Sequence, residues 1–337
     1  MKVLGLDLGK PSWERRVLTG SEGGMRIPSI HDSADREAAP FLLLARARAA
    51  GVRGALVSIS QIDGGAPKSL GTQMAVLEDG RHVGHVSGGC VEAAIAAEVV
   101  PMIARGRDEI MRFGKGSRFI DIRFPCGGGV DLLVHVSPSS EMLTEALARF
   151  GRREAFAIAF DPGASQAAVR DLATTGWVDG AFVRAFLPRT KLVLCGRGPD
   201  FEVLARVAAA AEFDLWLAGP DATSNLGEVI LLHDPARPPL LPLDPWTATV
   251  LLFHEHEWED ALLAQAVAGA GLYVGALGSV KTHTKRRERL AAMGLPAAQI
   301  DRIHGPIGLI DRARDPGMLA LSVLAEITAE RARLERA

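Results

Sequence analysis

The sequence predicts an α/β protein in two parts: an N-terminal α/β domain with a mixed sheet, then a Rossmann-like domain with a doubly wound parallel sheet. Three observations predict it. At 337 residues and 48% hydrophobic content, the chain is long and apolar enough for two cores. The second half opens KLVLCGRGPDFEVLARVAAAAEFDLWLAGPD, which reads strand, glycine turn, helix, strand, the first βαβ unit of a doubly wound sheet. The pattern changes character near residue 188, which gives an N-terminal extension at 1–38, a first domain at 39–188 and a second at 189–337.

Taken in order, residues 1–38 are irregular and rich in Gly, Ser, Asp and Pro, with at most one short strand. Phe41, Leu42, Leu44 and Ala45 are spaced for a helix over 39–50, stopped by Gly51. GALVSIS (54–60) is a short buried strand, and QMAVLEDGRHVGHVSGG is a hairpin with its tip at Glu78-Asp79-Gly80. A helix follows Cys90. Alternation at Phe119, Ile120, Ile122 and Phe124 marks a further strand, and VDLLVHV resumes after the glycines. Ser139 or Ser140 caps a helix to Phe150, AFAIAF is a strand, and the pattern weakens through Trp177 and Pro188. In the second half come strands in FDLWLA, EVILLH, TATVLLFH and LYVGALG. Helices run through EDALLAQAVAG, TKRRERLAAMG and, from Asp315-Pro316, LALSVLAEITAE, with proline at a favoured first position.

A net charge of −2 gives no general attraction to nucleic acid or an anionic membrane. Three cysteines without a CxxC pair argue against a disulfide framework and a zinc knuckle. No run reaches the roughly 18 apolar residues of a membrane span. The expectation is a cytoplasmic protein with no nucleic-acid partner and no membrane span.

Two glycine-embedded cysteines carry the chemistry: Ser87-Gly88-Gly89-Cys90-Val91-Glu92 and Phe124-Pro125-Cys126-Gly127-Gly128-Gly129. Glycine lets backbone N–H groups approach a ligand, and Cys90 precedes a helix, where the macrodipole favours thiolate and binds anions. These loops read as a site for an anionic, thiol-reactive or metal-bearing ligand. The plainer reading makes each cysteine a small core residue. Glu92 either orients a ligand or serves as a base, or it simply occupies a first turn that favours carboxylates.

In the second half, Gly196-Arg197-Gly198 has the first two glycines of a dinucleotide fingerprint, with Phe201 in the third place. Asp221 matches the acidic ribose position loosely. Gly278, Ser279 and Lys281 open a basic helix that is either a phosphate cradle or a solvated face behind a glycine turn. His304-Gly305-Pro306 falls where the next strand of the sheet would end. His254, Glu255, His256 and Asp260 form a weak metal pattern, better read as a polar loop, and Cys195 reads as core.

The motifs GGAPKSLGTQMAV, GHVSGGCVEAAI, FPCGGGVDLLV, CGRG, YVGALGS, IHGPIGL and ALSVLAEI, in this order, resemble the xanthine dehydrogenase accessory protein family (XdhC/CoxI) over about residues 40 to 330. The resemblance implies a chaperone rather than a catalyst. Such a protein binds molybdenum cofactor (molybdopterin), protects it during sulfuration and delivers it to a xanthine or carbon monoxide dehydrogenase-like hydroxylase. A cysteine desulfurase partner and a homodimer go with it. Cys90 would stand nearest the metal, with Gly88, Gly89, Glu92, Cys126 and Gly127 shaping the pocket. Gly196, Gly198, Gly278, Ser279 and Lys281 would be phosphate or nucleotide contacts in the second domain. The chain departs from the family in Gly64-Gly65-Ala66-Pro67-Lys68, where a serine and an arginine are usual, in the cation of Gly196-Arg197-Gly198, and in Asp221-Ala222-Thr223. The alternative is an NAD(P)-binding oxidoreductase using the Gly196–Gly198 turn.

Overall fold

The computed structural model describes residues 36–66, 68–89, 91–117, 127–253 and 256–335, His256 by its backbone alone. The expectations for residues 1–35, for the strand at 119–124, and for Cys90, Cys126, His254 and Glu255 lie outside the described residues. The chain divides into two compact units, the first ending at Pro188 and the second starting at Arg189.

The first unit runs α1 (Ala39–Ala49), β1 (Gly54–Asp63), β2 (Gln73–Leu77), β3 (His82–Gly84), α2 (Glu92–Arg105), β4 (Glu109–Gly114), β5 (Gly129–Val136), α3 (Ser140–Gly151), β6 (Phe156–Asp161), β7 (Gln166–Arg170), β8 (Gly176–Val178) and β9 (Ala181–Phe186). Its strands form a five-stranded sheet, β3-β2-β1-β5-β4, and a four-stranded sheet, β7-β6-β9-β8. Every pair in both is antiparallel, which corrects the expected mixed sheet. The physical reason lies in the connections. β2–β3, β6–β7 and β8–β9 are hairpins, and the one long helical crossover, through α2, carries the chain to the opposite edge instead of back beside β3.

β1 shows why its sequence is apolar without interruption. Ala55, Val57 and Ile59 pack with Val99, Met102 and Ile103 of α2. Leu56 belongs to the other face, with Phe41 and Leu44 of α1 and Phe156, Phe160, Phe182 and Phe186 of the second sheet. A strand covered on both faces has no polar side to alternate with. α2 stops at Gly106, whose left-handed φ of 72° suits glycine.

The second unit runs β10 (Lys191–Gly196), α4 (Pro199–Ala210), β11 (Asp214–Gly219), β12 (Glu228–Leu231), β13 (Thr247–Leu252), α5 (His256–Ala268), β14 (Tyr273–Ala276), α6 (Val280–Ala292), α7 (Ala297–Ile300), β15 (Ile303–His304) and α8 (Pro316–Leu334). Its six strands are all parallel in the order β12-β11-β10-β13-β14-β15, the doubly wound order of a Rossmann fold. One face carries α4 and α8, joined through Phe201, Leu204, Leu319, Val323 and Ile327. The other carries α5 and α6, through Leu262, Leu263 and Leu290. Cys195 is core, fully buried, and burial pushes its thiol up to about 12. Among the described residues no helix is long and apolar enough to cross a membrane.

Candidate functional site

Strand register gathers the glycine-rich loops of the first unit. Asp63, ending β1, pairs with Gly129, beginning β5, and Gly129 pairs with Gly114, ending β4. On the other side Ser58 of β1 pairs with Gln73, beginning β2, and Met74 with Gly84, ending β3. The loop after β1, the loop after β3, the chain leaving β4 and the chain that precedes β5 therefore all stand at one end of the sheet.

Two of these loops touch main chain to main chain. A Cβ on Gly128 would lie 1.8 Å from the Gly65 carbonyl oxygen and 2.8 Å from that of Asp63, so only glycine permits the approach. Arg112 fastens the same end: Nη2 donates to Asp63 at 2.8 Å, Nη1 to Asp131 at 3.1 Å, and Nε to the Lys115 carbonyl at 2.7 Å.

The loop after β3 is braced from within. The Glu92 side chain turns inward and its residue is 3% exposed. Its carboxylate accepts from the Ser87 N–H and hydroxyl at 2.8 Å, and from the Gly88 and Val91 N–H groups at 3.2 Å. Burial pushes the carboxyl up, but the donors of Ser87 and Gly88 outweigh it and the pKa falls to about 2. Glu92 is thus the brace of the loop, and its oxygens are already taken. Gly88 and Gly89 lie exposed with φ of 150° and 103°, and a Cβ on either, or on Gly127, would meet nothing within 4 Å. These positions present open backbone.

Cys90 and Cys126 are flanked by this described backbone and themselves lie outside the described residues, as does the expected metal contact of Cys90. Among the described residues no three His, Cys, Asp or Glu side chains group as a metal site. The sequence reading missed His85. Its Nδ1 is buried without a hydrogen-bond partner among the described residues and lies 3.8 Å from Glu92. The only signal was its place two residues before Ser87. Lys68 and Lys115, exposed on loops at the same end, add cations with no acidic partner among the described residues.

Gly196, Gly198, Gly278, Ser279 and Lys281 belong to the second unit, at the carboxyl edge of its sheet, and form a separate candidate. Gly196 packs against β13, where a Cβ would lie 3.0 Å from that of Leu252. Gly198 precedes α4, but Pro199 removes one N–H from the first turn and Asp200 and Glu202 place two carboxylates there. That helix start opposes an anion. Phe201 is in the core, 8% exposed, which explains the broken fingerprint. Ser279 caps α6, its hydroxyl accepting from the Thr282 N–H at 3.2 Å. In the weak metal pattern, Asp260 is held by Arg289 at 3.0 Å.

Comparison with known proteins gives the context. The model of the XdhC and CoxI family matches residues 47–114, and the XdhC Rossmann domain matches 192–327. The molybdenum cofactor insertion chaperone PaoD of Escherichia coli K12 is 38% identical over 281 residues, covering 83% of this chain and 84% of that protein. A probable xanthine dehydrogenase component from Bacillus subtilis 168 is 23% identical over 318 residues, covering 83% and 93%. The crystal structure of a xanthine dehydrogenase from Bacillus halodurans superposes with a TM-score of 0.63 at 19% identity, over 87% of this chain and 96% of that one, and shows the shared fold.

Proposed function

Because the chain belongs to the XdhC and CoxI family, we propose that it is a molybdenum cofactor chaperone. On this reading it holds the cofactor as cargo in the loops of the first unit, shields it during sulfuration and delivers it to a xanthine dehydrogenase-like hydroxylase. A cysteine desulfurase supplies the sulfur. The observation that carries the proposal is the gathering of the glycine-rich loops at one end of the five-stranded sheet.

The described residues suit such a cargo. It bears a phosphate and oxygen-rich metal, both acceptors of hydrogen bonds. Open backbone at Gly89 and Gly127, the imidazole of His85 and the ammonium groups of Lys68 and Lys115 supply donors and positive charge at that end. Glu92 keeps the loop in shape while its own charge is spent on Ser87, Gly88 and Val91. In this proposal Cys90, set between Gly89 and Val91, offers a soft sulfur to the metal.

The test is cofactor binding by the wild type and by Cys90→Ser at matched folding, read by elemental molybdenum and by pterin fluorescence after oxidation. Near-stoichiometric cofactor on the wild type, lost or left unsulfurated on the variant, is the expected result. No cofactor on either protein sinks the proposal, and equal loading and sulfuration of both sinks the role of the thiol.

A further inference from the structure

Two helices of the second unit begin at the carboxyl edge directly behind a glycine turn, and their first turns differ in charge. α4 carries Asp200 and Glu202. α6, 13 residues long, has no acid in its first turn, is capped by Ser279, and carries Lys281. Lys281 and Lys285 are exposed and without an acidic partner among the described residues.

Beneath the α6 turn lies Arg286, with 0% of its side chain exposed. Its Nη2 donates to the Leu277 carbonyl at 2.7 Å and to Glu259 at 2.8 Å, and Nε reaches the same carboxylate at 3.3 Å. Nη1 is buried with no hydrogen-bond partner among the described residues. The turn rests on this guanidinium: a Cβ on Gly278 would come within 3.4 Å of Nη2 and 2.9 Å of the Thr282 side chain. A buried guanidinium with an idle N–H pair is costly, so an acceptor that the described residues do not supply would relieve it.

The next turn of α6 meets the loop after β15. His283 packs so closely on Gly305 that a Cβ there would stand 2.2 Å from its Nδ1, which brings His304 beside the first turns of α6. Glu326 accepts from Tyr273 Oη at 2.7 Å, from the Gly308 N–H at 2.7 Å and pairs with His304 Nδ1 at 3.1 Å. Burial pushes Glu326 up, yet the bonds from His304, Tyr273 and Gly308 prevail and hold it below the usual carboxylate range. An ionised carboxylate has no proton to give, so Nδ1 is the donor. That fixes the tautomer and leaves Nε2 of an imidazole that is 33% exposed to serve a ligand.

We infer that the edge between the turns after β14 and β15 binds a phosphate monoester. The α6 N-terminus, Ser279, Lys281 and Arg286 take the phosphate, and His304 takes the adjoining part of the ligand. A tetrahedral dianion has enough acceptors for backbone N–H, guanidinium and ammonium together, where a carboxylate has two oxygens. This site is in the second unit and does not depend on the cargo proposed for the first.

Titration of the full chain with inorganic phosphate and with adenosine monophosphate, at constant ionic strength, tests it. Wild type is compared with Lys281→Glu, His304→Gln and Arg170→Glu, the last a charge control on β7. The expected result is saturable binding of both ligands, weakened about tenfold in Lys281→Glu at unchanged Tm and unaltered in Arg170→Glu. Adenosine monophosphate should bind more tightly than phosphate, and His304→Gln should abolish that advantage. Absence of saturable binding by the wild type at millimolar ligand overturns the site. Equal weakening in Arg170→Glu does the same, since it would report bulk charge alone. An adenosine monophosphate advantage that survives in His304→Gln overturns the assignment of that imidazole.

Discussion

The glycine-rich edges of the two units use glycine for different ends. In the first unit Gly88, Gly89 and Gly127 face open space, and the loop after β3 is held by a carboxylate from its own sequence neighbourhood, Glu92 to Ser87, Gly88 and Val91. In the second unit Gly196 and Gly278 are pressed against Leu252, Thr282 and Arg286; the turn after β14 is held by Arg286 of the helix it opens, and the turn after β15 by Glu326 of α8. The first edge thus displays main chain, and the second displays side chains on a rigid backbone. Main-chain display tolerates many ligand shapes, whereas fixed side chains select one chemistry.

The sharpest way to break the second edge is Arg286→Met. It takes from Glu259, 1% exposed, its closer guanidinium and leaves the longer pair with Arg289 at 3.3 Å, and should cost about 3 kcal/mol, the low end for breaking a buried pair. Urea denaturation should show a large fall in midpoint, partly restored by adding Glu259→Gln. An unchanged midpoint would mean that the pair contributes nothing to folding.

For the first edge, Gly128→Ala should cost about 3 kcal/mol, since its methyl meets the Gly65 carbonyl at 1.8 Å and one loop must shift. Glu92→Gln should cost about 1–3 kcal/mol near neutral pH, through weakened bonds to Ser87 and the two backbone amides. Its pH dependence has a definite sign. The folded pKa is lowered from 4.5 to about 2, so the stabilisation is fully present above about 4.5 and is lost as pH falls toward 2. Thermal melts across that interval should be steeper for wild type than for the variant, and parallel acid limbs would refute the brace. Gly89→Ala, with space for its methyl but φ of 103°, should cost only about 1 kcal/mol. If Gly89→Ala and Gly128→Ala prove equal in denaturation, the contrast between conformational and steric glycines fails.

Local pattern was a good guide wherever one element decided its own fate. The period of α1, the run of β1 buried on both faces and the proline-started α8 were all readable, as was the parallel second sheet from its strand–turn–helix opening. The four-stranded sheet was not, because β7 is exposed at alternate positions and β8 has three residues, too few for a period to register. Arg286 shows a different failure. Within TKRRERL it is indistinguishable from its solvated neighbours, and only the packing of α6 over Glu259 buries it. Glu92 was placed correctly in a first turn, while the choice between brace and ligand group required its hydrogen bonds. Tyr273, His304 and Glu326 meet because β14, β15 and α8 are brought together by the fold, and no spacing in the sequence announces them.

Tyr273 is the one tyrosine in the chain. Burial, first, and then the adjacent Glu326 carboxylate push its hydroxyl far above the ordinary tyrosine value. Phenolate absorbance in alkaline buffer should therefore stay near zero while the second unit is folded and appear as it opens. The chain carries its own chromophoric clock for the unfolding of that unit, with no label required.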